Sequence, residues 1–168
     1  TRVSSSAASD VYKRQKVCIV DVLSSRRSVG MKGPHRFQQS MVDVAVVGAG
    51  QTKYGNHPLG LKGMWAEAAS KAFASIDGDF DPQSIDEAFI GSIAFGGAQL
   101  GNTAALLTEH SGMEGIPVRR VENACASSGF ALRDAWMAIK SGQADLVVAG
   151  GIEKMNDLSP ERKRYWLG

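Results

Sequence analysis

Apolar positions in this chain alternate between short unbroken runs and helical spacing. Val42 to Val47 is a continuous apolar-leaning run, the pattern of a strand buried on both faces. Leu61 to Ile76 follows, with Met64, Trp65, Ala68, Ala69, Ala72, Phe73 and Ile76 on one helical stripe. Ile85 to Ile93 reads as a second strand carrying Ala88, Phe89 and Ile90. A short helix from Ala104 to His110 is expected next, capped by Asn102 or Thr103. Pro117 to Val121 gives a third strand, Ala126 to Lys140 a helix, and Asp145 to Ala149 a fourth strand. Breakers separate these elements: Pro58 and Gly60, Asp77 to Pro82, Ser141-Gly142 and Gly150-Gly151. Regular strand–helix alternation predicts a layered α/β domain built on a mostly parallel sheet. Val17 to Leu23 is a further apolar run that fits an isolated strand or a helical turn.

Charge divides the chain. Of its 19 Lys and Arg and 17 Asp and Glu, residues 1–40 hold eight basic and only two acidic ones. The remaining 128 residues are therefore mildly acidic, which excludes a broad electrostatic case for nucleic-acid binding. Residues 1–15 are serine-rich and without period, so residues 1–40 are read as a disordered or non-native leader. The strand–helix pattern starts directly after Met41, favouring upstream read-through; an Arg- and Ser-rich, acid-poor transit peptide is the rival reading. No apolar run approaches the ~20 residues that span a membrane. The two cysteines, Cys18 and Cys125, lie in segments of different character, and no Cys/His cluster suggests zinc. A reducing, cytoplasmic setting is expected.

Candidate chemistry centres on Cys125. It falls between the run ending at Val121 and the helical pattern beginning near Ala126, close to a helix N-terminus. Unpaired amides and the positive end of the helix dipole meet at such a place and favour a thiolate nucleophile. Small neighbours, Ala124, Ala126, Ser127, Ser128 and Gly129, leave room for a substrate carbonyl. The ordinary alternative is a buried unreactive cysteine. The polar, flexible surround of Asn123, Ser127, Ser128 and Gly129 argues against it, as does the alanine-rich helix that follows, whose composition suits burial on most sides.

Other features are weaker. Gly48-Ala49-Gly50 after a strand invites a dinucleotide reading, but Lys53 stands where the third glycine belongs, and a tight turn is the plainer reading. Asp77, Asp79 and Asp81 lack the later spacing and glutamate of a calcium loop. His110 beside Glu109 reads as a helix-end surface residue. Arg119 and Arg120 could meet the phosphates of coenzyme A, although ion pairing or solvation is the simpler account.

Three segments together resemble the thiolase family: Asn123-Ala124-Cys125-Ala126-Ser127-Ser128-Gly129, its nucleophile motif; Asp145 to Met155, its next strand with a Gly-Gly-x-Glu-x-Met turn; and Val42 to Gly55, the opening strand of the sterol-carrier-protein-x and archaeal branch. The resemblance covers about residues 41 to 158. It implies a thiolase-like N-terminal half in residues 41–168, with helices on both faces of a five-stranded mixed sheet and a buried nucleophile helix. It also implies that the fifth strand, due after Met155, and the entire C-terminal half with its catalytic histidine and second cysteine are missing. The implied activity is acyl transfer from coenzyme A thioesters through a Cys125 acyl-enzyme, with no bound cofactor or metal. A related condensing enzyme or a non-catalytic lipid-CoA-binding protein is the alternative. The implied partners of the full-length protein are a second copy in a homodimer or tetramer and a small acyl-CoA-binding companion.

Overall fold

A computed structural model of the protein describes residues 16–23, 43–93 and 102–167. Its sheet has five strands: β1 (Lys16–Leu23), β2 (Asp43–Gly50), β3 (Glu87–Gly91), β4 (Val118–Val121) and β5 (Leu146–Gly151). Their spatial order is β2-β1-β5-β3-β4. β3 is parallel to both β4 and β5, while β1 is antiparallel to both its neighbours, β2 and β5. Four strands therefore point one way and β1 alone opposes them.

The run expected as an isolated strand or a turn is thus a strand paired on both edges. It occupies an interior place in the sheet, and the sheet reaches five strands with no strand after Met155 among the described residues. The segment that follows β5 is instead a one-turn 3-10 helix, Met155–Asp157, and a terminal helix α4 (Pro160–Leu167). The rest of the leader and the loop expected from Gly96 lie largely outside the described residues.

Helices cover both faces. On one side α1 (Leu61–Phe73) and α2 (Thr103–Glu109) pack on Ala88, Ile90 and Val148 through Trp65, Ala68, Ala72 and Leu107. On the other, α3 (Ser127–Lys140) packs Ala131, Ala135, Ala138 and Ile139 on Phe89, Val147 and Ala149. The alternation of side chains along β3 and β5 divides the core between these two layers. Each large side chain sealed here, Trp65 and Phe89 among them, contributes about 1.5–3 kcal/mol of burial.

The glycines of β2 do not make the turn expected of them. The strand runs through to Gly50, and a Cβ at Gly48 would stand 2.7 Å from the Ala72 carbonyl oxygen. A Cβ at Gly50 would overlap the α1 backbone at Ala68 and Ala72. Glycine here permits a helix to lie close against a strand, and that helix fills the space a dinucleotide would need.

Candidate active site

The sheet carries a notch where α3 begins. Gly91 of β3 and Gly151 of β5 are direct neighbours in register. A Cβ on Gly91 would stand 2.6 Å from the backbone of Ser127 and Ser128, and one on Gly151 would overlap the Ser128 hydroxyl. Two adjacent strands thus end in glycine, and the first turn of α3 sits down between them. Cys125 is two residues ahead of that turn, in the 3-10 helix Ala124–Ala126 that links β4 to α3. Ala124 has φ of +43°, a left-handed conformation rare for a residue with a Cβ. This bend lets the chain turn sharply out of β4.

Cys125 is exposed, so the inert, sealed cysteine is excluded. It lines an open cavity of about 70 Å³ with Ser92, Ile93, Ser128, Ile152 and Glu153. The amides flanking the sulfur are not a free array, however. Asn123 N donates to Ser127 Oγ at 2.9 Å, Ala124 N to the Glu122 carboxylate at 2.7 Å, and Ala126 N to Asn123 O at 2.9 Å. Ser127 N bonds the Ala124 carbonyl. The 3-10 turn thus engages the amides of Asn123, Ala124, Ala126 and Ser127 within the chain.

The far wall of the cavity begins where β3 stops. Glu153, beyond β5, accepts from Ser92 Oγ at 3.0 Å and from Ile93 N at 2.8 Å with one carboxylate oxygen. Arg120 of β4 donates from Nε to the Ser92 carbonyl at 3.3 Å and from Nη2 to the Ile93 carbonyl. Arg119 pairs with the buried Glu87 carboxylate at 2.9 Å, an ion pair without hydrogen-bond geometry, and stacks over Phe89. Gln143 Nε2 donates to the other Glu87 oxygen at 3.0 Å. Both arginines are therefore engaged inside the chain.

The remaining candidates lie apart from this cavity. Asp81 caps the short 3-10 helix Pro82–Ser84, accepting from Gln83 N at 2.9 Å. His110 is exposed at the C-cap of α2. His57 meets Glu67 of α1 at 3.0 Å and accepts from Leu59 N at 3.3 Å, pinning the loop after β2. Its partner Glu67 is held below the usual carboxylate range by the Lys71 ammonium that hydrogen-bonds it. Nothing in the sequence joins His57 to Glu67; the Glu67–Lys71 spacing alone was visible.

The family model of the thiolase N-terminal domain matches residues 44–165. The chain belongs to the thiolase family. It is 42% identical over 124 residues to the acetyl-CoA acetyltransferase of Methanocaldococcus jannaschii, the match covering 70% of this chain and 30% of that protein. Human sterol carrier protein 2 is 36% identical over 118 residues, covering 67% of this chain and 20% of that protein. The chain thus spans under a third of the relatives it matches. In fold it is similar to the 3-oxoacyl-[acyl-carrier-protein] synthase III of Aquifex aeolicus, with a TM-score of 0.55 at 23% identity, over 62% of this chain and 33% of that one. The thiolase N-terminal match leaves β1 outside its bounds. Among the described residues no helix is long and apolar enough to cross a membrane.

Proposed function

We propose that Cys125 is the acyl-carrying nucleophile of a thiolase-type acyltransferase acting on coenzyme A thioesters. The observation that carries this reading is the exposed thiol on a strained bend, set into a cavity by a two-glycine notch in a thiolase-family sheet. In the cleavage direction the thiolate attacks the ketone carbon of a 3-ketoacyl-CoA such as acetoacetyl-CoA. The bond between C2 and C3 breaks, the electron pair on C2 takes a proton to give acetyl-CoA, and the acyl group stays on sulfur as a thioester. A second coenzyme A thiol then accepts the acyl group and returns the sulfur to a thiolate. Condensation of two acetyl-CoA molecules is the reverse. Splitting the transfer at an acyl-enzyme suits a soft sulfur nucleophile.

The thiolase resemblance assigns the proton transfers to a histidine and a second cysteine of another half. On that assignment we read the chain as carrying the nucleophile with little or no turnover alone. Companion subunits and self-association belong to the same proposal. Incubation with acetyl-CoA followed by peptide mass mapping should find an acetyl group on Cys125. Its formation should be at least tenfold faster than in the urea-unfolded chain and lost in Cys125→Ala. A folded chain that acylates no faster than the unfolded one overturns the nucleophile; multiple turnovers of acetoacetyl-CoA by this chain overturn the partial site.

A further inference from the structure

We infer that Glu153 and Arg120 are positioning residues that together fix the Ser92–Ile93 backbone as the wall facing Cys125, and so decide what size of acyl group the site admits. The reading of that group as acyl rests on the function proposed above; the wall and its clamp do not.

The inference starts from where the sheet's hydrogen bonds end. Ser92 N still donates to Val121 O at 3.1 Å, and Ile152 N to Gly91 O at 3.0 Å. Beyond these bonds β4 turns away into the Cys125 bend, and β5 has ended at Gly151. The next backbone groups after β3, the Ser92 and Ile93 carbonyls and the Ile93 amide, have no strand beside them among the described residues. Ser92 is nonetheless buried, so its polar groups need partners from the protein. Two charged side chains supply them from opposite sides. The Arg120 guanidinium takes both carbonyls, and the Glu153 carboxylate takes the Ile93 amide and the Ser92 hydroxyl. Hydrogen bonds to charged groups are about twice as strong as neutral ones, so this pair can hold two residues that the sheet no longer holds.

The segment so held is part of the cavity wall that Cys125 shares. A loosened wall widens the space in front of the sulfur; a fixed one admits only groups that fit. Neither side chain needs to touch the reacting atoms to do this, and Arg120 is on the outer strand, away from the cavity lining.

Two thiol reagents of different bulk test the inference on the 168-residue chain, with alkylation read at Cys125 by peptide mapping. The readout is the rate with N-phenylmaleimide divided by the rate with iodoacetamide, set against the same ratio in the unaltered protein. Arg120→Ala removes an exposed side chain and should fold; it should raise the ratio at least threefold and speed exchange of the Ile93 amide at least tenfold. Glu153→Ala should do the same, and the double variant should add little to either. Glu153→Gln keeps an acceptor for Ile93 N and should restore the ratio to within twofold. Ratios within twofold of the unaltered protein in Arg120→Ala overturn the inference, whether or not the Ile93 amide is released. A shifted ratio in a protein whose Cys125 takes no acetyl group from acetyl-CoA would sink the acyltransferase reading and leave the clamp standing. An acetylated Cys125 with an unmoved ratio would do the opposite.

Discussion

Gly151 shows how much one missing side chain decides. It is in register with Gly91 and lies directly under the Ser128 hydroxyl, so a methyl group there must displace the start of α3. Forcing carbon into a packed site costs about 1–3 kcal/mol, and here the strain falls on Ser128, three residues from the exposed sulfur. Gly151→Ala is expected to lower stability by that amount in denaturant unfolding and to change the rate of Cys125 alkylation by iodoacetamide at least threefold. An unchanged rate in a folded variant would mean that the notch does not set the sulfur's place. The Gly-Gly pair was visible in the sequence, but as a turn; that its second member holds up a helix from across the sheet is a contact between residues 23 positions apart. Cys125 itself was legible, because its small neighbours and its place ahead of a helical pattern are local. Glu153 was seen only as one letter of a turn, and its grip on Ser92 and Ile93 joins residues 61 and 60 positions apart.

At the scale of elements, periodicity located three of the four described α-helices and the four parallel strands to within three residues at each end, and missed the charged terminal helix Pro160–Leu167. Helical and strand spacing are properties of neighbouring residues, so they survive in a single sequence. Strand order is not such a property. β1 pairs with β2 along most of its length and with β5 over six residues, and it separates two strands that run parallel to one another. Among the described residues β2 has no other strand beside it. Removal of residues 1–40 should therefore strip those β2 amides that point toward β1 of exchange protection and lower the unfolding midpoint, while Ala49 N, held by Ser75 Oγ at 2.9 Å, and the amides of β3 and β4 stay protected. Retained protection along β2 would show that α1 alone holds it. An apolar run of seven residues suffices for a strand, but only the vacant edges of β2 and β5 say where it goes.

For the molecule as a whole, α3 is the element out of balance. Its alanines face the sheet, while Phe130, Leu132, Trp136 and Met137 on its outer sides are each more than 40% exposed. Apolar side chains thus stand on the outer side of α3 beside the charged Arg133 and Asp134, and only the sheet-facing side is covered. Large exposed apolar patches associate in water. Replacing Leu132, Trp136 and Met137 together by Gln should leave stability within about 0.5 kcal/mol per site, as for ordinary surface changes, and should sharply reduce self-association in light scattering. Equal association in the variant would place the sticky surface elsewhere. Burial on most sides was the expectation from the alanine content; alanine reports close approach to one neighbour and cannot say whether the opposite face has one.

By itself the sequence determined the α/β class, the positions of three helices and four strands, the thiolase kinship and the cysteine on which the proposed chemistry rests. Each depends on residue types at short, fixed spacing. Only the tertiary structure decided that β1 enters the middle of the sheet, that two glycines seat the helix behind Cys125, and that Arg120 turns inward to backbone carbonyls rather than toward a ligand. Those outcomes depend on which distant groups are left without a hydrogen-bond partner or without room, and that is settled when the strands are laid side by side.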